Sequence, residues 1–168
     1  MTMRLDEALR EANKRIVRQW LCTLNGDDDA IRGSYYVVSP SLHWTLIGST
    51  PISGTFHGLE EVLSKFQYLC WNGDGRQGST RQGLDPAYGV KPLHIEEVTA
   101  LEDGRVLVHC RSDGMGRNGL PYRNEYCWIV TITGSLISHI YEFADTAQIE
   151  TVMFDKRIVP AEELGSAA

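Results

Sequence analysis

The spacing of apolar positions changes along this chain, and the change divides it into helical and extended parts. Over Leu5 to Leu24 the apolar residues fall at Leu5, Ala8, Leu9, Ala12, Ile16, Val17, Trp20 and Leu24, a stripe that predicts an amphipathic helix ended by Asn25-Gly26. The acidic cluster Asp27 to Asp29 suits a helix N-terminus and predicts a second helix running through Tyr36, stopped by Ser39-Pro40-Ser41. Leu42 to Ile47 reads as a short strand and Gly48 to Gly54 as a turn-rich stretch. Leu59, Val62, Leu63, Phe66, Leu69 and Cys70 then predict a third helix over Gly58 to Trp71. From Asn72 to Lys91 the sequence is rich in Gly, Arg and Gln and has no period, which predicts a mobile loop with little to bury.

Beyond that loop the period becomes two. Strands are predicted over Leu93 to Leu101, Arg105 to Arg111, Tyr122 to Thr133 and Leu136 to Phe143, with turns at Glu102-Asp103-Gly104 and Thr133-Gly134-Ser135. A last helix is expected over Thr146 to Phe154, N-capped by Asp145, with a frayed tail from Glu163. Helices first and hairpin-connected strands afterwards imply one α+β domain over residues 1–168, a curved antiparallel sheet with helices closing one side.

Alternation also sorts the polar residues. His109, Arg111 and Asp113 share one face of their strand, as do Asn124 and Tyr126, and as do Ile140 and Glu142. A sheet face carrying such residues is either solvated or a pocket. In a dry pocket two carboxylates cannot both ionise freely, so one takes a raised pKa and serves as acid while its partner, held charged by an arginine, serves as base. On that reading Asp113 is the base, Glu142 the acid and Arg111 the group that sets their charge. On the other, Arg111 and Asp113 form a surface ion pair at a strand end. Cys110 and Cys127 alternate with these polar positions and are expected to pack against apolar surface.

Composition narrows the partners. A net charge of -6 and a pI near 5.3, with scattered cationic residues, argue against nucleic acid and anionic membrane surfaces. The apolar runs fall well short of the roughly 20 residues of a membrane span, and the N-terminal stretch is charged from Arg4 onward, so the cytoplasm is the expected location. Cys22, Cys70, Cys110 and Cys127 show no CxxC spacing and no His, Cys or carboxylate set has metal-ligand spacing, so neither metal nor cofactor is expected. His57 reads as a loop residue and His139 as exposed or at a subunit contact. Of His43 and Trp44, only one can face inward.

The order of elements, with the run Gly48-Ser49-Thr50-Pro51-Ile52-Ser53-Gly54-Thr55 and the ending Gly134-Ser135-Leu136-Ile137 through Tyr141-Glu142-Phe143-Ala144-Asp145, resembles the ketosteroid isomerase/nuclear transport factor 2-like superfamily, especially its SnoaL-like polyketide cyclase branch. The resemblance implies a cone-shaped fold, N-terminal helices enclosing a pocket against the concave sheet, and a homodimer through the convex face, to which Ile129, Thr131 and Ile137 would contribute. It implies cofactor-independent acid–base chemistry (hydration, dehydration, cyclisation or isomerisation) on a small apolar molecule of polyketide, steroid or terpenoid type, or else a catalytically silent binding or dimerisation domain. The general base of ketosteroid isomerases falls at Thr45, which cannot take that role. Arg111, Asp113 and Glu142 look like the Arg-x-Asp and second carboxylate of limonene-epoxide hydrolases, whose water-positioning residues would fall near His43 and Thr45. His94 and Asn124 look like the substrate-holding pair of scytalone dehydratases. Trp44, Phe66, Tyr126 and Trp128 would supply an aromatic pocket lining.

Overall fold

A computed structural model describes residues 2–24, 35–74, 80–88 and 94–160. The long N-terminal helix α1 spans Thr2–Leu24. It buries Asn13, Val17, Trp20 and Leu21, one face at helical spacing, and Asn13 Nδ2 donates to the Gly104 carbonyl at 2.8 Å, tying the helix to the turn after the first hairpin strand. Most of the helix expected over Asp27 to Tyr36 lies outside the described residues; the part described, Tyr35–Val37, is a short 3-10 turn.

The strands are β1 (Val38–Leu46), β2 (Gly54–His57), β3 (His94–Ala100), β4 (Val106–Arg111), β5 (Gly114–Met115), β6 (Pro121–Tyr122), β7 (Glu125–Thr133) and β8 (Leu136–Ala144). Six form one curved, unclosed sheet in the order β2-β1-β8-β7-β4-β3, and β5 and β6 form a small separate hairpin. The α+β class holds, with two amendments. β1 begins at Val38 and runs through Ser39-Pro40-Ser41 instead of starting after them; the register is irregular between Val38 and His43, the kind of place where a strand tolerates proline. β1 and β8 pair in parallel, while the other pairs are antiparallel. His57 ends β2 and is not in a loop.

Residues 59–72 form helix α2, in which a π-helical turn, Val62–Gln67, sits between the α-helical pieces Leu59–Glu61 and Tyr68–Asn72. Residues 146–153 form α3, and its Asp145 cap is as expected: the carboxylate accepts from the Ala147 and Gln148 amides. Of the loop expected over Asn72 to Lys91, Asn72 belongs to the end of α2, and the described stretch 80–88 is tied down instead of loose. Leu84 is buried and its amide donates to the Cys70 carbonyl, Gly83 N donates to Met153 O at 2.6 Å, and Arg81 pairs with Asp155. Gly83 has φ of +90°, and a Cβ there would meet the Trp71 carbonyl at 2.1 Å, so glycine is required at this crossing.

The core lies between the concave face of the sheet and the helices. It gathers Val17, Trp20 and Leu21 from α1, Val106, Val108 and Cys110 from β4, Tyr126, Trp128 and Val130 from β7, Ile137 and Ile140 from β8, Leu42 and Leu46 from β1, Val62 and Phe66 from α2, and Ile149, Val152, Met153 and Phe154 from the last helix and its end. Burying a large apolar side chain in such a core contributes about 1.5–3 kcal/mol. Ile137, expected on the convex surface, is fully buried: the register of β7 and β8 shifts at Thr131/Ile132, Ser138 is the extra residue, and Ile137 and Ile140 both point inward. Among the described residues no helix is long and apolar enough to cross a membrane.

Candidate active site

The register decides which polar residues share the interior. Cys110 stands opposite Tyr126 and Arg111 opposite Glu125, while Trp128 stands opposite Glu142. Val106, Val108, Cys110, Tyr126, Trp128 and Glu142 therefore face the helices, and His109, Arg111, Glu125, Cys127 and Tyr141 take the other side. Ser112 and Asn124, at the ends of their strands, are buried with the inner set.

The expected set of Arg111, Asp113 and Glu142 is thus not assembled. Arg111 is exposed and paired with Glu96 of β3, an ion pair that lowers the glutamate's pKa and raises the arginine's. Asp113 is exposed and faces Arg123 at 3.7 Å. His109 bonds Glu125 at 2.6 Å. His43 and Thr45 also face outward: Thr45 Oγ1 lies 3.1 Å from His139 Nε2, and the His43 ring is 4.7 Å from that of His57 and 5.6 Å from that of His139. His94 is exposed at the start of an edge strand. Cys127, on the outer face, is half-buried instead of lying in the core with Cys110.

Glu142, Trp44, Phe66, Asn124, Tyr126 and Trp128 do come together inside. Glu142 is 5 % exposed, and its Oε2 accepts a 2.6 Å hydrogen bond from the Trp44 indole N–H. The Trp128 indole N–H lies near the same carboxylate and favours its ionised form without closing a hydrogen bond; it is buried and unpaired. Burial outweighs the two indoles and lifts the Glu142 carboxyl to about 7. The carboxylate in turn helps raise the Cys110 thiol to about 12, after burial, the larger cause.

Aromatic rings surround this carboxylate. Trp20 of α1 lies 6.0 Å from Trp44 and 5.3 Å from Trp128; Phe66, on the π-helical turn, lies 5.2 Å from Trp44; Tyr126 lies 5.6 Å from Trp128. Sequence reasoning missed Trp20 as a member of this group, along with two polar residues, Ser112 and Tyr122. Tyr122 Oη accepts from Asn124 Nδ2 at 2.8 Å and from Tyr126 Oη at 3.1 Å, and Ser112 Oγ is 3.1 Å from Tyr126 Oη. Ser112 was signalled by its place two residues beyond Cys110. Asn124 is committed to the backbone: its Oδ1 accepts from Asp145 N and its Nδ2 also donates to Asp145 O. Burial drives the Tyr122 and Tyr126 hydroxyls well above their ordinary pKa, so both stay neutral donors.

A shallow groove elsewhere, between the free edge of β2 and α2, is lined by Thr55, Phe56, Glu61, Lys65 and Tyr68; its acid and base are spent on each other in a Glu61–Lys65 pair. Among the described residues no cluster of His, Cys, Asp and Glu is arranged to hold a metal ion.

A curved, unclosed sheet with a helix ahead of it recurs in solved structures. The chain matches an NTF2-like protein of unknown function from Burkholderia pseudomallei at 16% identity, over 84% of this chain and 97% of that one, with a TM-score of 0.62. It matches a Jannaschia protein proposed to be a SnoaL-like polyketide cyclase at 14% identity, over 88% and 94% of the two chains, with a TM-score of 0.61. The fold is that of the nuclear transport factor 2-like and SnoaL-like proteins. TerC, crystallised with polyporic acid, has this fold too: 15% identity, coverage of 85% and 98%, TM-score 0.63. No protein-family profile and no curated protein matches the chain. At these identities the likeness carries the nuclear transport factor 2-like fold and not an activity.

Proposed function

We propose that this protein is a cofactor-independent acid–base enzyme of the SnoaL-like kind, in which Glu142 alone moves the proton, and that it isomerises or cyclises a small, flat, largely apolar molecule. The observation that carries this reading is a carboxylate, the one buried among the described residues, set among indole and phenyl rings, with its pKa raised to about 7. A group that titrates near neutral pH can both take and return a proton there. Isomerisation and cyclisation need one such group acting twice. Epoxide hydration as the sequence suggested it needs a second carboxylate and an arginine, and Asp113 and Arg111 face away. The ligand would lie against Trp44 in the place of the Phe66 ring, which is carried on the π-helical turn, a helix form often found at functional sites. That TerC was crystallised with polyporic acid supports a flat small molecule as the ligand class.

A test uses a panel of hydroxyketones, enones and β-diketones assayed from pH 5 to 9. Wild-type protein should turn over at least one of them with an apparent pKa near 7, and Glu142→Gln should lose about 10²–10⁴-fold in rate, the usual contribution of a general acid–base group, while keeping its fold. Full activity in Glu142→Gln would end the proposal. One observation favours the silent alternative: Trp20, Trp44, Phe66 and Trp128 pack against one another inside the cone. On that alternative Phe66→Ala would bind flat apolar molecules without turning any of them over.

A further inference from the structure

The row of rings that shields Glu142 ends at the groove between β2 and α2. Phe56 lines that groove, and its ring lies 5.2 Å from the Phe66 ring; Phe66 in turn lies 5.2 Å from Trp44, which holds Glu142. Exposure rises in the same direction: Trp20 is 1 % exposed, Trp128 4 % and Phe66 7 %, while Phe56 and Trp44 are half-buried. With Glu142 itself 5 % exposed, a ring-sized molecule reaches the carboxylate only if a wall moves. The walls are not alike. α1 is pinned by Val17, Trp20 and Leu21 in the core and by the Asn13 bond to Gly104, and residues 80–88 are sewn to Cys70 and Met153. α2 puts only Val62 and Phe66 into the core, and both lie in its π-helical turn.

We propose that the groove is the mouth of the interior and that the Phe66 ring is its door: a flat, uncharged molecule enters past Phe56 and Leu69, and Phe66 turns aside to let it rest against Trp44. The proposal rests on the reading above only in placing a flat molecule beside Trp44. The groove encloses about 390 Å³. That lies inside the roughly 300–1,000 Å³ of small-molecule pockets, so such a ring fits in the groove before the door moves. A π-helical turn is wider than an α-turn, and tightening it to α spacing turns its side chains about the helix axis without uncoiling the helix. Phe66 is thereby carried off Trp44 while Cys70, beyond the turn, keeps its bond from the Leu84 amide. The lip of the groove carries no unbalanced charge: Glu61 accepts from Lys65 through one oxygen and from the His57 amide through the other, which suits a neutral molecule. Because the closed position fills the hollow, the apparent affinity falls by the fraction of time the door stands open.

The experiment mixes the full chain with 2-naphthol, a flat phenol uncharged at neutral pH, in a stopped-flow instrument and follows the quenching of tryptophan emission. Ser64 is exposed on the groove wall, and Ser64→Phe narrows the mouth. Association and dissociation should both slow by about tenfold with Kd within about twofold of wild type, because an obstacle on the path raises the barrier in both directions and leaves the end states alone. Phe66→Leu, a smaller door, should associate about tenfold faster and bind more tightly. Leu63→Phe, at an exposed position of the same helix that does not line the groove, should change neither rate. Unchanged rates in Ser64→Phe overturn the proposal, as does the absence of saturable quenching in both wild type and Phe66→Leu. A weaker Kd in Ser64→Phe with normal association also overturns it, since the groove is then the resting place and not the way in. Should Phe66→Leu fail to fold, the paired rates of Ser64→Phe decide. Entry through the groove into a protein that turns nothing over leaves this proposal standing and removes the acid–base reading; turnover lost in Glu142→Gln with unchanged rates in Ser64→Phe does the reverse.

Discussion

The two faces of one sheet treat the same side-chain chemistry in opposite ways. On the convex face Glu96 meets Arg111 in water, and the guanidinium holds its pKa below the ordinary value. On the concave face Glu142 meets two indole N–H groups and, among the described residues, no cation, and burial lifts its pKa to about 7. Arg111, Asp113 and His109 are all charge-bearing or titratable side chains too, yet each is held in an exposed pair outside the core. Chemistry near neutral pH comes from where a carboxylate is put, not from how many charged residues surround it.

The contrast can be broken most strongly at Glu142 itself. Its folded-state pKa is raised above the unfolded value, so it contributes stability that is full below about pH 4.5 and lost as pH rises through about 7. Glu142→Gln removes that dependence. Relative to wild type the variant should gain about 3 kcal/mol between pH 4.5 and pH 8, read from urea unfolding at both ends; parallel curves would mean the carboxylate is not dry. A smaller effect is expected at Asn124, which joins the start of β7 to the end of β8 through Asp145. Asn124→Ala should cost about 1–3 kcal/mol across the neutral range, because two of the lost bonds are to the Asp145 backbone and the third is to the Tyr122 hydroxyl, which burial keeps neutral. The smallest belongs to the convex face: Arg111→Gln and Asp113→Asn should leave turnover within about twofold of wild type, since exposed pairs contribute little. A large loss of turnover in either would return catalysis to the face that the register puts outside.

Much of this was legible from spacing. The first helix, the α2 segment, the four C-terminal strands and the Asp145 cap follow from periodicity and capping chemistry, which act locally. Alternation within each strand was also read correctly: His109 and Arg111 do share a face, as do Asn124 and Tyr126. What no single strand states is how its faces align with its neighbour's. Cys110 opposite Tyr126 is a matter of register, and it reverses the alignment assumed when Arg111 was grouped with Glu142. One signal was available. Val106, Val108 and Cys110 alternate with Leu107, His109 and Arg111, and an antiparallel sheet with one solvated face turns the more polar set outward. The same rule would leave Glu142, alone among apolar neighbours on its face, as the interior carboxylate. β2 escaped notice because Gly54–His57 is too short to show a period, and the parallel partnership of β1 with β8 because it joins residues about a hundred positions apart.

Ser138 inserts a bulge in β8 ahead of the row that ends at Glu142. Counting from Ile137 inward, removal of this serine would leave His139 pointing out and Ile140 and Glu142 pointing in, so the insertion does not choose what the interior contains. What it adds is bend, because a bulge strengthens local twist. In this molecule the curvature of the sheet and the identity of its buried carboxylate are therefore set by separate features of the chain, and either can be changed without the other.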